Sequence, residues 1–461
     1  MNFKHTIKIF ALTVALLATS MVAGAQSMRT GYFLKGYAYR YRLNPALMND
    51  QHYLSLPLLG EINLKTTGNL GLSNFIYDSP DGSGLMTFMH PSVSADDFLD
   101  GINKNNFVAL DYDMTLLSTG FFAFGGYNTL DIGLHSHSAF NIPYDMFRFM
   151  KSLGGGTYSF ENLNMATRNY IDVAIGHAHN INGDLTIGAR LKVLLGAAYA
   201  NMLVEKMNVE MTGERWMIDA KGAVSAAIGG NFTYGSDGKL NGYDNIVPGL
   251  NGFGLGFDLG VTYDLSSVLT EGLIVSASIT DLGYMKWNNV SKAGFDPEPF
   301  VFDGFDNVST SAEQGATIDD QMESIEKDLT GMFVLADNGT ADESEALSST
   351  LHLGVEYKMP FYDKLSAAFL YTTRFDKIYP YHQFSLMLNL SPVNWFNIAL
   401  SGTTSTLGMN LGAMINIHCT GFNLFFGSDC FLARLNKQYI PLDNMNANIA
   451  FGINIPFGFK R

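Results

Sequence analysis

The C-terminal stretch of the chain constrains the fold more than any other feature. Between positions 448 and 459, Ile449, Phe451, Ile453, Ile455, Phe457 and Phe459 alternate with Asn448, Ala450, Gly452, Asn454, Pro456 and Gly458. Successive side chains of a strand point to opposite faces, so one face here is apolar and the other small or polar. A half-buried strand of a soluble sheet holds such alternation for about four to eight residues. A strand that crosses a membrane needs about 9–11 at its usual tilt. The run from 448 to 459 is long enough for a crossing.

The same period recurs along the chain. Val108, Leu110, Tyr112, Met114 and Leu116 form one such face. Others run through 185–195, 253–263, 351–357, 384–390 and 407–417. In lipid every backbone N–H and C=O must be paired internally, and strands achieve this by closing into a barrel. The sequence therefore predicts an all-β fold, a closed antiparallel transmembrane β-barrel of about 14 strands, an even number being the bacterial rule. The barrel is expected over residues 51–461, with residues 26–50 before it as an N-terminal plug or arm.

Composition agrees. Charged residues make up 15% of the chain, against about 25% in ordinary soluble domains. A hydrophobic content of 47% excludes disorder. Two cysteines exclude a disulfide scaffold. An excess of 43 Asp+Glu over 28 Lys+Arg excludes a basic nucleic-acid binder. Residues 1–25 read as a secretory signal peptide: Lys4 and Lys8, an apolar stretch from Ile9 to Val22, then Ala23-Gly24-Ala25 for cleavage. The expected destination is the outer membrane of a Gram-negative bacterium, with outer-membrane lipid around the barrel.

Three segments break the period. Short helices are expected near 94–102 and 145–152. Residues 294–347 hold fourteen acids and one base, Lys327. Within them Ile318, Met322, Ile325 and Leu329 share one helical face, which predicts an acidic helical loop at the barrel mouth. Its sharper reading is a docking element for a protein partner.

Candidate functional residues follow from the inward face. His135 and His137 lie opposite Leu130, Ile132 and Leu134, so both point to the lumen. Asp111, Asp113, Arg190, Lys192, Asp258 and Glu356 are assigned inward by the same alternation, and pairing across the lumen is their default role. His177 and His179 continue the outer face, at the rim. Two imidazoles without a located third ligand do not define a metal centre, so no metal and no cofactor is assigned. Cys419 and Cys430 flank a turn at Thr420-Gly421 in a spacing unsuited to a disulfide. No nucleophile elbow or phosphate loop occurs, and no catalysis is expected.

Asn44-Pro45-Ala46 resembles the Asn-Pro-Ala motif near the mature N-terminus of the FadL-like outer-membrane transporters of hydrophobic compounds. The stretches Leu185 to Gly196, Gly254 to Gly260 and Asp281 to Tyr284, with Phe451 to Asn454, are similar to strands of a Bacteroidota outer-membrane barrel family of unknown function. The resemblance implies about fourteen strands and an N-terminal segment inside the lumen, which acts as a hatch in the FadL-like group. Asn44, Pro45 and Ala46 are the positions it carries over as binding residues. It implies a channel for small hydrophobic compounds. Another relative, the type IX secretion shuttle barrel, binds protein partners, which keeps a non-transporting scaffold as the alternative.

Overall fold

A computed structural model describes residues 28–80, 84–152, 155–212, 215–236, 238–295, 300–302, 335–431 and 446–459. The proposed signal peptide and the predicted helix around Ile318 to Leu329 lie outside the described residues.

Among the described residues fourteen antiparallel strands close on themselves. In chain order they are β1 (Gln51–Ser55 with Ile62–Gly68), β2 (Asn105–Ala123), β3 (Gly126–Pro143) and β4 (Gly156–Ser159 with Asn164–Asn180). Then come β5 (Leu185–Met211), β6 (Trp216–Ala227 with Gly252–Asp264), β7 (Leu273–Phe295) and β8 (Leu335–Ala346 with Thr350–Lys358). The wall is completed by β9 (Leu365–Arg374), β10 (Tyr381–Val393), β11 (Phe396–Ser405), β12 (Gly408–Cys419), β13 (Phe422–Ser428) and β14 (Ala447–Phe459). Each strand pairs with its sequence neighbours, and β14 closes the ring on β1 (Ile62↔Phe451, Ser55↔Asn454). Split strands remain continuous in register: both pieces of β6 lie along β5, at Gly222↔Val204 and Gly252↔Gly196.

The pleat sorts side chains as the alternation predicts. On β10 Phe384, Leu386 and Leu388 are exposed outward, while Gln383, Ser385, Met387 and Asn389 are buried inward. An apolar outer band of this kind is what lipid requires. No helix among the described residues is long and apolar enough to cross a membrane. Arginine in place of Leu386, the middle residue of this outer triplet, should lower folding stability by about 2–4 kcal/mol. Urea unfolding in lipid vesicles measures it, and an unchanged midpoint would remove Leu386 from the lipid face.

The two ends differ. One carries tight turns, such as Phe124-Gly125 and Thr420-Gly421. At the latter Cys419 pairs with Phe422, and neither cysteine is in a disulfide among the described residues. The other end carries the long connections, including the short helices α1 (Ala95–Asp100) and α2 (Tyr144–Ser152). Ser94 caps α1 by accepting from the Asp97 amide.

The acidic stretch requires a correction of boundary. Residues 335–346 are not loop but the upper part of β8, paired with β7 from Tyr284↔Ala346 to Phe295↔Leu335. Its acids face cations of other strands: Glu343 meets Lys292 and Asp342 meets Lys286 on adjacent β7, and Glu345 meets Arg168 on β4. This part of the wall has few apolar residues to alternate, so period two gives no sign of it.

Candidate functional site in the lumen

Residues 28–50 lie inside the barrel, entering from the tight-turn end where β1 begins. They form 3-10 turns at Arg29–Gly31 and Arg40–Arg42. Among the described residues they join no ladder of the wall. Four tyrosines, Tyr32, Tyr37, Tyr39 and Tyr41, are buried there. A tyrosine suits this place because its ring packs while its hydroxyl reaches a polar wall. Tyr37 donates to Glu61. Tyr41 donates to Asp131 at 2.6 Å. Burial first, then the Asp131 charge, raises the Tyr41 hydroxyl pKa above the usual phenol value, so it stays protonated as the donor. Further along, Thr30 Oγ1 meets Ser401 Oγ at 2.8 Å. Inward residues Met414, Phe425 and Ala399 pack on this segment in one apolar cluster, and Met387 and Leu370 in another.

Asn44-Pro45-Ala46 sits in a hollow of the wall. Asn44 Oδ1 accepts from the Ala46 amide at 3.0 Å, closing a turn over Pro45, and Asn44 Nδ2 donates to the Tyr32 hydroxyl at 2.9 Å. Gly188 on β5 and Gly260 on β6 are direct cross-strand partners and form the floor. A Cβ on Gly260 would collide with Asn44 Oδ1, and one on Gly188 with the backbone of Pro45 and Ala46. Glycine is needed at both positions for this close approach.

Beside the hollow a chain of ion pairs runs through the lumen. Arg42 bridges Glu61 (2.9 Å) and Asp131 (3.0 Å). Arg190 bridges Asp131 (3.0 Å) and Asp258 (2.8 Å). Lys192 bridges Asp258 (2.7 Å) and Asp281 (2.6 Å). Pairing thus runs along the wall and into the luminal segment rather than across an open lumen. His135 lies between Asp113 (2.5 Å) and Asp172 (2.8 Å), and His137 beside Asp111 (3.2 Å). Glu356 stands apart from these groups, accepting from Ser366 at 2.6 Å. His177 is exposed on the outside, against Asn128.

Arg42, Glu61, Asp131, Asp172, Asp281, Gly188 and Gly260 were not singled out by the sequence reading. Asp131 and Asp172 were within its reach, since each alternates with apolar neighbours (Leu130 and Ile132; Ile171 and Val173). Asp281 was not, because it sits at a left-handed backbone position, φ 58°, inside β7.

The cavity left between these groups measures about 80 Å³. An apolar cavity that takes benzene measures about 150 Å³. That cavity therefore has no room for an aromatic molecule among the described residues.

Among solved structures the chain is similar to the toluene transporter TodX of Pseudomonas putida at 11% identity and TM-score 0.40, over 95% of this chain and 96% of that one. It is similar to a FadL homologue of Pseudomonas aeruginosa at 10% identity and TM-score 0.38, over 95% and 100%. It is also similar to the translocator domain of the autotransporter NalP from Neisseria meningitidis at 7% identity and TM-score 0.35, over 90% and 91%. No curated protein matches the sequence. A family model matches residues 45–429, from the Asn-Pro-Ala turn through β13, and the chain belongs to that family, the family of unknown function DUF5723.

Proposed function

We propose that this chain is an outer-membrane channel for small hydrophobic compounds, exported by cleavage near Ala25 and shut at rest by residues 28–50. The observation that carries the reading is the attachment of that segment. It lies in the lumen, runs on into β1, and shares no strand ladder with the wall among the described residues, and cleavage near Ala25 would leave it tethered at the β1 end alone. It can leave without breaking a strand. Its departure would uncover Met387, Met414, Phe425 and Leu370 on an otherwise polar wall, a mixed surface suited to apolar cargo. Short turns of bacterial barrels face the periplasm, so the segment would enter from that side and the acidic stretch 294–347 would face outward.

A lock tests this. Thr30→Cys and Ser401→Cys replace two oxygens 2.8 Å apart, and small rotations bring sulfurs to the roughly 2.05 Å of a disulfide. Cys419 and Cys430 are first changed to serine. Oxidised protein in vesicles should take up toluene at least tenfold more slowly than reduced protein. Equal rates in both states would end the reading of 28–50 as a plug.

The second reading is a scaffold that docks a protein partner through 294–347, on the model of the type IX shuttle barrel. The continuous charge pairing of the lumen favours it, since a wall so engaged need not open. Co-purification of a stoichiometric protein, lost on removal of residues 303–334 with the paired strand 335–346 kept, would select it.

A further inference from the structure

The two histidines of β3 have acquired partners that their spacing alone did not reveal. His135 and His137 stack with ring centroids 6.4 Å apart, between Asp111 and Asp113 of β2 on one side and Tyr170 and Asp172 of β4 on the other. One donor atom each from Asp113, His135 and His137 lies within 4.8 Å of the others. The group faces the luminal cavity, which Arg42 and Leu43 of the inner segment also line.

Carboxylates outnumber imidazoles in the cluster, with Tyr379 donating to Asp111 at 2.7 Å and Arg374 and Lys65 acting on it from farther off. Three carboxylates, Asp111, Asp113 and Asp172, meet here. Among the described residues none of them forms an ion pair with a lysine or arginine. Arg190 and Lys192 are engaged with Asp131, Asp258 and Asp281. Asp111 is fully buried, and its Oδ2 has no hydrogen-bond partner among the described residues. His135 has Nδ1 on Asp113 and Nε2 on Asp172, while His137 has Nδ1 on Asp111 and Nε2 3.3 Å from the Tyr170 hydroxyl, so Asp172 and Asp111 each hold one imidazole from behind. That is how an outer carboxylate orients a metal-binding histidine.

We propose that Asp113, His135 and His137 form a luminal site for a divalent transition-metal ion of the zinc type, with Asp172 and Asp111 as orienting carboxylates. Mixed imidazole and carboxylate donors suit zinc and its neighbours better than calcium or magnesium. A tetrahedral ion bonded at about 2.0–2.1 Å holds its donors about 3.4 Å apart. The donors, now within 4.8 Å of one another, would close to that spacing by side-chain rotation into the cavity. The site stands whether or not the barrel conducts.

The test uses the full-length barrel in detergent, stripped with a chelator and titrated with Co²⁺ alone, then Zn²⁺ alone. One equivalent of Co²⁺ should give the visible absorption of a low-symmetry nitrogen–oxygen site, and Zn²⁺ should displace it. The double variant His135→Gln, His137→Gln should bind at least 100-fold more weakly. Asp172→Asn should lose about tenfold. His177→Gln with His179→Gln should bind as the parent does. Should the double variant not fold, shown by lost heat-modifiable mobility, Asp113→Asn takes its place and should also lose the site. Binding only at millimolar metal, binding that survives these changes, or binding that follows His177 and His179 overturns the proposal.

Discussion

Arg190→Met should destabilise the barrel by about 3 kcal/mol, the lower part of the 3–5 kcal/mol range for removing one partner of a buried ion pair. Arg190 is 5% exposed and holds two carboxylates, Asp131 and Asp258, that are almost wholly buried. Methionine fills much of the same volume and leaves both carboxylates short of a cation. Neither is abandoned, since Arg42 still meets Asp131 and Lys192 still meets Asp258, which places the loss at the lower end. The comparison is Lys286→Met. Lys286 pairs with Asp342 where both side chains are about half exposed. Solvent screens such an exposed pair, so its removal should cost far less. Unfolding in urea, followed by tryptophan fluorescence, reads both variants. Equal losses for the two would mean that the luminal chain of charges carries no more weight than a surface pair.

The barrel was legible because lipid imposes one rule on every crossing strand. Leu386 must face out and Ser385 in, and the period survives in any single strand long enough to span. Legibility ends where lipid ends. β5 runs for 27 residues and β7 for 23, well beyond the roughly 9–11 that a bilayer needs. Beyond the membrane the outer face need not be apolar, and along 335–346 few apolar residues remain to alternate, so these residues read as acidic loop and form strand. The inward face of Asp111, Arg190 and Asp258 was legible from the same alternation, but their partners were not. Asp131 reaches Arg190 across an intervening strand, and Arg42 arrives from a segment outside the ladder. Such contacts depend on barrel register and on the path of residues 28–50, which local periodicity does not encode. The third group beside His135 and His137 was hidden for the same reason: Asp113 comes from the next strand over, opposite His135 in the register of β2 and β3.

Gly260→Val should unseat the inner segment while leaving the barrel closed. The argument is steric. Gly260 and Gly188 are the places where the wall thins to receive Asn44-Pro45-Ala46, and a Cβ on Gly260 meets Asn44 Oδ1 together with Pro45. Asn44 cannot yield cheaply, because its Oδ1 closes the turn onto the Ala46 amide and its Nδ2 holds the buried Tyr32 hydroxyl. The strand itself accepts the change, since valine is favoured in extended backbone. Strain therefore falls on the segment, whose hold on the wall at this point is the turn. Ala46, 3% exposed in its seat, reports the outcome as Ala46→Cys in a chain lacking Cys419 and Cys430. Maleimide labelling of that thiol should be slow in the parent and at least tenfold faster with Gly260→Val or Gly188→Val. Gly402→Val is the control. Gly402 lies on β11, where an added Cβ would meet only Leu411 at 3.8 Å, and labelling should stay at the parent rate. Faster labelling with intact heat-modifiable mobility would tie the Asn-Pro-Ala turn to closure of the lumen. Labelling that stays slow in both glycine variants would mean that the polar anchors at Arg42, Tyr41 and Thr30 hold the segment without it.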